Sequence, residues 1–239
     1  IKADVTRKVA EVLPATAVFA SNTSTLPITG LAEAWRDAAS FVGIHFFSPV
    51  DKMQLVEIIR GKKTSDATLA VAMDYVKRIR KTPVVVNDSR GFFTSRVFAT
   101  YTGEGMRMLA EGINPALIEN AGRMTGMPMP PLALSDEVAL DLIYKIAAQT
   151  AKDQGAAYQR SPVDGLVEKM VKDLGRLGKK NGKGFYDYPA EGKKRLWPGL
   201  GDLAPRAKEQ PSVDEIKTRF LYIQALETAR CFEENVITA

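Results

Sequence analysis

The sequence predicts an α/β region followed by an all-α region, with the change of character near residue 88. Before that residue, short apolar or β-branched runs alternate with stretches of helical periodicity, which is typical of a sheet whose strands are connected by helices. After it, apolar residues recur at helical spacing and only helices and loops are predicted. A repeat among the charged residues then indicates that a second helical copy begins before residue 239.

Four strands and three helices are predicted within residues 1–88. The strands are the apolar runs at residues 17–20, 41–46, 55–59 and 84–86. The helices have apolar residues three and four positions apart, at residues 5–13, 31–38 and 69–80. Pro14 ends the first helix because proline lacks the amide hydrogen that a helix interior needs. The run at residues 17–20 is expected to be a buried strand that leads into a polar loop.

From residue 89 onward, capping residues and prolines mark the helices. A first helix is indicated by apolar residues on one face, Phe93, Val97 and Tyr101. Asn114 and Ser161 each precede a proline, which is the pattern of a helix cap followed by proline at the first helical position. Asp136 is predicted to cap a further helix, and residues 202–211 are predicted to be a linker.

An internal repeat appears when the chain is shifted by 123 residues. Four charged residues then coincide in identity: Arg96 with Arg219, Glu104 with Glu227, Arg107 with Arg230, and Glu111 with Glu234. Shared helical periodicity can align apolar residues, but it does not align four identical charges in one helix-length window. We therefore expect residues 202–239 to hold a linker and the first helix of a second copy, within a protein that is longer than this chain.

Composition excludes several classes of protein. The 239 residues carry 33 Lys and Arg against 28 Asp and Glu, and this net charge of +5 is spread along the chain. The densest basic run, residues 193–195, has no aromatic residues interleaved with it, so nucleic-acid binding is not expected. The single cysteine, Cys231, cannot form an internal disulfide or a metal cage and fits a reducing compartment. No apolar run reaches the about 18 residues of a membrane span.

The first candidate site combines a histidine and a carboxylate. His45 is the only histidine of the chain, and it ends an apolar run where side chains emerge into the crevice of an α/β sheet. Glu57 lies twelve residues later among apolar residues, where a carboxylate needs a partner. If the two strands pair through the turn at residues 48–51, Glu57 faces the imidazole and fixes its tautomer, as a general base requires. Spacing alone supports a catalytic pair and a structural ion pair equally.

A second candidate is the hydroxyl-rich loop Ser-Asn-Thr-Ser-Thr at residues 21–25. It fits a helix-capping loop, and it also fits a set of donors near a substrate oxygen or a cofactor amide. Ser24 is a poor candidate nucleophile because the pattern G-x-S-x-G is missing around it. The phosphate-binding pattern G-x-G-x-x-G is also missing, so the residues alone do not predict nucleotide binding.

Five segments match one family in order and spacing: SNTSTL, GIHFFSP, LVEII, RGFFTSR and GKKNGKGFYDY. With them, essentially the whole chain resembles the L-3-hydroxyacyl-CoA dehydrogenases of fatty-acid β-oxidation. The resemblance implies the C-terminal part of a Rossmann-type NAD-binding domain at residues 1–88, followed by an all-α C-terminal dehydrogenase domain at residues 89–201. The partial second copy resembles the multifunctional members, of the alpha subunit type, in which the helical domain is duplicated. The glycine fingerprint of the family is expected to lie before Ile1, so residues 1–239 alone are expected to bind NAD poorly.

The resemblance implies NAD-dependent oxidation of L-3-hydroxyacyl-CoA to 3-ketoacyl-CoA. His45 matches the catalytic base of the family and Glu57 matches the acid that orients it. Ser24 matches a serine that touches both nicotinamide and substrate. Further positions match residues that contact the cofactor: Lys2, Ser48 and Lys180.

Three positions, in two segments, depart from the family pattern. Many relatives have asparagine in place of Ser48. The asparagine that polarises the substrate, in the pattern PGF-x-x-NR, is replaced by Ser95, and the proline of that pattern is replaced by Arg90. Serine donates a hydrogen bond but reaches less far, so Ser95 is expected to act on the substrate directly or through water.

The resemblance also implies partners and a compartment. The substrate is an acyl-CoA, and the protein is expected to form a homo-oligomer or a complex with a thiolase subunit, in a bacterial cytoplasm. A mitochondrial or peroxisomal location is the alternative. Two other functions stay open: a catalytically silent scaffold or oligomerisation module of a β-oxidation complex, and a short-chain 3-hydroxybutyryl-CoA dehydrogenase.

Overall fold

The computed structural model describes residues 1–238, which pack into two compact units. The first unit comprises Ile1–Phe98 and the stretch from Leu226 onward, and the second comprises Ala99–Ala225. A mixed sheet with helices is followed by a helical region, which confirms the predicted fold class. The division into residues 1–88, 89–201 and 202–239 stays a prediction.

The first unit is built on a four-stranded sheet. In spatial order, its strands are β1 (Phe19–Ser21), β2 (Phe41–Phe46), β3 (Leu55–Arg60) and β4 (Thr82–Asn87). Its helices along the chain are α1 (Lys2–Val12), α2 (Ile28–Ala32) and α3 (Asp66–Arg78). β1 is parallel to β2, β3 is antiparallel to β2, and β4 is parallel to β3. The structure therefore confirms the strands predicted at residues 41–46, 55–59 and 84–86.

Both faces of the central strands are covered. On one face, Phe41 of β2 and Ile59 of β3 pack with Ile28 of α2. On the other face, Val42 packs with Val76 of α3. Since successive side chains of a strand point to opposite faces, burial of both faces explains why β2 is a continuous apolar run in the sequence.

The helix predicted over residues 31–38 is wrong. α2 begins three residues earlier and ends at Ala32. The reason is the Asp88 carboxylate, which accepts hydrogen bonds from the backbone N–H groups of Ile28 (2.8 Å) and Thr29 (2.7 Å). This carboxylate caps the helix from a position 60 residues away, so no local capping residue indicates where the helix begins.

β1 also differs from the prediction. It covers Phe19–Ser21 rather than residues 17–20, and its side chains are partly exposed rather than buried. Within residues 1–238 it pairs with β2 alone and lies at the edge of the sheet, where one flank has no neighbouring strand.

Helices make up most of the second unit. They are α5 (Pro115–Met124), α6 (Pro131–Val138), α7 (Leu140–Gln154), α8 (Pro162–Glu168) and α9 (Leu200–Leu203). Two longer helices, α4 (Thr94–Ala110) and α10 (Val213–Glu233), have residues in both units. The predicted caps are confirmed, because Asn114 accepts from the N–H of Ala116 and Ser161 forms a capping box with Asp164. Among residues 1–238, no helix is long and apolar enough to cross a membrane.

Two predictions for the helical region are wrong. A short antiparallel pair of strands, β5 (Tyr186–Asp187) and β6 (Arg195–Leu196), lies where only helices and loops were predicted. Asp136 does not cap a helix, because it lies inside α6 and is fully buried. Its side chain is used for a contact far along the chain.

The Asp136 carboxylate anchors the segment that leads into β5. It accepts hydrogen bonds from the N–H groups of Phe185 (2.8 Å) and Tyr186 (2.9 Å) and from the hydroxyl of Tyr188 (3.1 Å). A Cβ atom at Gly184 would lie 2.0 Å from Asp136 Oδ1, so the backbone comes this close only because residue 184 is glycine. The Gly-Phe-Tyr-Asp-Tyr motif is therefore a structural anchor of the helical unit.

Replacing Gly184 with alanine is expected to lower the free energy of unfolding by about 2–3 kcal/mol, because the added methyl group meets a buried carboxylate. Gly103→Ala is the matched control, since Gly103 lies in α4 and a Cβ atom there meets nothing within 4 Å. That control should gain about 0.5–1 kcal/mol from the higher helix propensity of alanine. Urea unfolding of both variants measures the difference, and equal stabilities would contradict this packing.

The stability of the helical unit should also depend on pH through Asp136. Burial raises the pKa of the Asp136 carboxyl from 3.8 to about 6. The folded state then holds a proton that the unfolded chain has already released, so the contribution of this group is complete below the unfolded pKa and is lost as the pH rises through 6. About two pKa units correspond to about 3 kcal/mol.

The comparison of wild type with Asp136→Asn isolates this contribution, because asparagine does not titrate. The stability advantage of wild type over the variant should fall by about 3 kcal/mol between about pH 4 and pH 7, as measured by urea unfolding at each pH. An advantage that is constant or grows with pH would show that the carboxyl is ionised throughout.

Candidate active site

His45 and Glu57 face each other across two strands. They are direct partners in the antiparallel register of β2 and β3, and Nδ1 of His45 lies 3.0 Å from Oε2 of Glu57. Both side chains are buried, with 5% of His45 and 0% of Glu57 exposed. The pairing expected from the spacing of the two residues is present.

Glu57 accepts three further hydrogen bonds from the start of α4. The backbone N–H groups of Phe93 and Thr94 both donate to Oε1 at 3.0 Å. The hydroxyl of Thr94 donates to Oε2 at 2.7 Å. Because these donors belong to the N-terminal end of a helix, where the helix dipole is positive, they stabilise a negative charge on the carboxylate.

This network assigns the tautomer of His45. A carboxylate that already accepts three hydrogen bonds takes its fourth from the imidazole, which places the proton on Nδ1. Among residues 1–238, no hydrogen bond reaches Nε2, whose lone pair is then available to accept a proton. The rings of Phe47 and Phe92 lie beside the imidazole, with centroids 4.6 Å and 6.0 Å away.

The backbone before α4 turns sharply to present these donors. Gly91 has φ of +80°, and Phe92, whose side chain is fully buried, has φ of +52°. A non-glycine residue in the left-handed region is uncommon and is held there by its surroundings. The N–H of Gly91 also donates to the carbonyl of Thr25, which ties this turn to the loop after β1.

The loop at residues 21–25 lies at the same edge of the sheet. The side chain of Asn22 accepts from the N–H of Phe46 at the end of β2. The hydroxyl of Ser95 donates to the carbonyl of Ser24 at 3.2 Å. Since β1 and β2 are parallel, their carboxyl ends meet at this edge, which is where α/β sheets bind ligands.

The remaining predicted cofactor contacts lie as follows. Ser48 is exposed and follows His45 by three residues. Lys2 is exposed in the first turn of α1, and among residues 1–238 no hydrogen bond or ion pair joins it to His45 or Glu57. Lys180 belongs to the second unit, where its ammonium group pairs with Asp141 and holds the pKa of that carboxyl below its usual range.

Sequence reasoning missed Thr94, which supplies two of the four hydrogen bonds to Glu57. The available signal was the segment Arg-Gly-Phe-Phe-Thr-Ser-Arg, in which a glycine precedes the helix and a hydroxyl residue begins it. That pattern predicts a helix N-terminus but not which carboxylate it receives, because Glu57 lies 37 residues earlier.

Comparison with known proteins identifies the family. Residues 1–89 match the model of the 3-hydroxyacyl-CoA dehydrogenase NAD-binding domain, so the chain is of the NAD-dependent dehydrogenase type. Residues 91–188 match the model of the 3-hydroxyacyl-CoA dehydrogenase C-terminal domain. The chain belongs to the 3-hydroxyacyl-CoA dehydrogenase family, which confirms the resemblance noted in the sequence.

The curated relatives are longer than this chain. The fatty acid oxidation complex subunit alpha of Shewanella loihica is 38% identical over 226 residues, and the match covers 93% of this chain and 31% of the relative. The protein of the same name from Shewanella baltica is 37% identical over 228 residues, with the same coverage of 93% and 31%. The chain thus spans about a third of the length of these relatives.

Solved structures agree with this assignment. The (S)-3-hydroxybutyryl-CoA dehydrogenase of Ralstonia eutropha matches with a TM-score of 0.70 and 33% identity, over 79% of this chain and 66% of that one. The dehydrogenase part of a multifunctional enzyme from C. elegans matches with a TM-score of 0.69 and 27% identity, over 99% of this chain and 54% of that one.

Removing the Thr94 hydroxyl should weaken the hold on Glu57. Thr94→Val keeps the shape of the side chain but leaves the buried carboxylate with one donor fewer, so we expect the free energy of unfolding to fall by about 1–3 kcal/mol. Thr94→Ser keeps the hydroxyl and should lose less than half of that. Urea unfolding measures the free energy of unfolding of both variants. Equal losses in the two would show that the methyl group of Thr94, and not its hydroxyl, contributes the stability.

Proposed function

We propose that this chain carries the dehydrogenase centre of a protein that oxidises L-3-hydroxyacyl-CoA to 3-ketoacyl-CoA with NAD in fatty-acid β-oxidation. The supporting observation is the buried Glu57–His45 pair, in which the carboxylate is fully hydrogen-bonded and Nε2 of the imidazole has no partner within residues 1–238. A structural ion pair would not require a vacant imidazole nitrogen at the edge of the sheet where ligands bind.

In this proposal His45 is the general base. Its Nε2 takes the proton of the hydroxyl group at carbon 3 while hydride leaves the same carbon, and the C–O bond becomes a carbonyl. Glu57 stabilises the imidazolium that forms, and its three other donors oppose transfer of the proton onto the carboxylate. In the reverse direction the imidazolium of His45 returns the proton to the oxygen of the 3-ketoacyl group.

The residues at the sheet edge fit the nicotinamide end of NAD, which supplies the hydride acceptor when it is bound. Exposed hydroxyl groups at Ser24 and Ser48 lie near the carboxyl ends of β1 and β2, and they can bond to a carboxamide. Cofactor contacts at Lys2 and Lys180 are proposed on the family resemblance. For Lys180, such a contact has to coexist with its ion pair to Asp141 or replace it.

Ser95 is proposed to bind the substrate oxygen together with Ser24. Its hydroxyl now donates to the carbonyl of Ser24, so a bound substrate carbonyl has to compete with that carbonyl for the same hydrogen. A hydroxyl rotates about one bond and can switch between acceptors, whereas the amide of the family asparagine offers two hydrogens at once.

We also propose an assembly and a compartment. The relatives from Shewanella are named as alpha subunits of a fatty acid oxidation complex. By that relationship, the protein that contains this chain takes acyl-CoA substrates, associates with a thiolase subunit and works in a bacterial cytoplasm.

His45→Ala in the full-length protein that contains this chain should lower the rate of NADH oxidation with acetoacetyl-CoA by about 10²–10⁴-fold, as expected for loss of a general base. A loss smaller than tenfold would remove His45 from the mechanism. If a folded wild-type protein that binds NAD reduces neither acetoacetyl-CoA nor longer 3-ketoacyl-CoAs, the scaffold interpretation replaces the enzymatic one.

A further inference from the structure

The C-terminal part of the second repeat copy belongs to the same compact unit as the Glu57–His45 pair. Residues 226–238 pack in the first unit beside β4. The backbone N–H of Asn87 donates to the carbonyl of Val236, and its side-chain amide donates to the carbonyl of Asn235, both at 2.8 Å. Ile237 packs against the apolar cluster that includes Phe92.

Arg96 connects this segment to the first turn of α4. Its Nε donates to Oε1 of Glu227 at 2.7 Å, and its two terminal nitrogens donate to the two oxygens of Glu234 at 2.5 Å and 3.1 Å. The side chains of Arg96 and Glu227 are 16% and 11% exposed, so this pair is largely shielded from water, whereas the side chain of Glu234 is 54% exposed. A bidentate arginine–carboxylate pair fixes orientation as well as distance.

The position of Arg96 gives this cluster a functional consequence. It lies two residues after Thr94, in the same turn whose N–H groups and hydroxyl hold Glu57. A shift of that turn would move three of the four donors of the carboxylate together. The carboxylate would then no longer fix the orientation of the His45 imidazole.

The same arrangement recurs in the second unit, where the second copy supplies the arginine and the first copy supplies the two glutamates. Arg219, the repeat equivalent of Arg96, donates to Glu104 and Glu111, which are the equivalents of Glu227 and Glu234. In each half, a further arginine, Arg107 or Arg230, pairs with the first glutamate of its own helix. Three of the four charged identities of the repeat thus join one copy to the other, and the fourth, Arg107 or Arg230, pairs within its own helix.

We propose that Arg96 is a positioning residue for the dehydrogenase centre, and that Glu227 and Glu234 of the second repeat complete this centre by holding it. This inference rests on the proposed function. It assigns Glu227 of α10, and Glu234 directly after that helix, a role in turnover in addition to any role in stability. Arg219 with its two glutamates has the same chemistry but makes its bonds within the second unit, so it provides a matched control.

The kinetic test compares Arg96→Gln with Arg219→Gln in the full-length protein. Arg96→Gln should lower kcat for acetoacetyl-CoA reduction by about ten- to a hundredfold, with KM changed less than about threefold, because a displaced base slows the chemistry without removing a substrate contact. Arg219→Gln should lower the melting temperature by a similar amount but change kcat less than about twofold. Arg96→Lys, which keeps the charge, should recover part of kcat.

A second readout does not depend on activity. The Nδ1 proton of His45, bonded to Glu57, should give a low-field NMR signal in the full-length protein, which is assigned by its loss in His45→Ala. The signal should shift or broaden in Arg96→Gln and stay unchanged in Arg219→Gln. If Arg96→Gln does not fold, Glu234→Gln removes only the more exposed partner and is used in its place.

Equal losses of kcat in the Arg96 and Arg219 variants, or an unchanged imidazole signal in Arg96→Gln, would overturn the positioning role and leave two structural clusters. An inactive wild-type protein would contradict the proposed dehydrogenase function instead. In that case the imidazole signal still decides whether Arg96 holds the Glu57–His45 pair in place.

Discussion

A carboxylate with no exposed surface must find a hydrogen-bond donor for each of its acceptor positions, because water cannot supply one. Glu57 meets this requirement with donors from two separate parts of the chain, the imidazole of His45 on β2 and the start of α4. The register of β2 and β3 therefore has to place His45 opposite it, since a slip of one residue would turn the Glu57 side chain to the other face of the sheet. The point where α4 begins is constrained by the other three bonds, which come from Phe93 and Thr94.

The way Glu57 binds the backbone is repeated elsewhere in the molecule. Three other carboxylates each accept from two successive N–H groups: Asp88 from Ile28 and Thr29, Glu119 from Leu132 and Ala133, and Asp136 from Phe185 and Tyr186. In each case the carboxylate accepts from backbone N–H groups at the start of a helix or strand, where no nearby side chain among residues 1–238 accepts from them. In two of these carboxylates, Glu119 and Asp136, burial raises the pKa above the usual value of the carboxyl group.

Sequence separation explains which features could be predicted. The Glu57–His45 pair could be predicted because a single local connection, residues 47–54, joins two antiparallel strands, so a spacing of twelve residues is enough to bring the side chains together. The caps at Asn114 and Ser161 are local and were predicted correctly. The start of α2 and the role of Asp136 could not be predicted, because each depends on a carboxylate and a backbone that lie 49 or more residues apart. For the same reason Thr94 was missed as a partner of Glu57.

The repeated charges show a further reason why a pattern can be visible while its meaning is hidden. Charged residues on a helix are usually solvated, and the shift of 123 residues reveals only that two helices carry the same ones. It does not reveal that Arg96 and Arg219 are each bonded to the glutamates of the other copy, more than 100 residues away. Arg96 belongs to the same turn of α4 as Thr94, which donates to Glu57. The helix of the second copy is therefore connected to the imidazole through Glu227, Arg96, this turn and Glu57. Duplication of a helix can in this way supply residues that support the Glu57–His45 pair through the helix of the first copy.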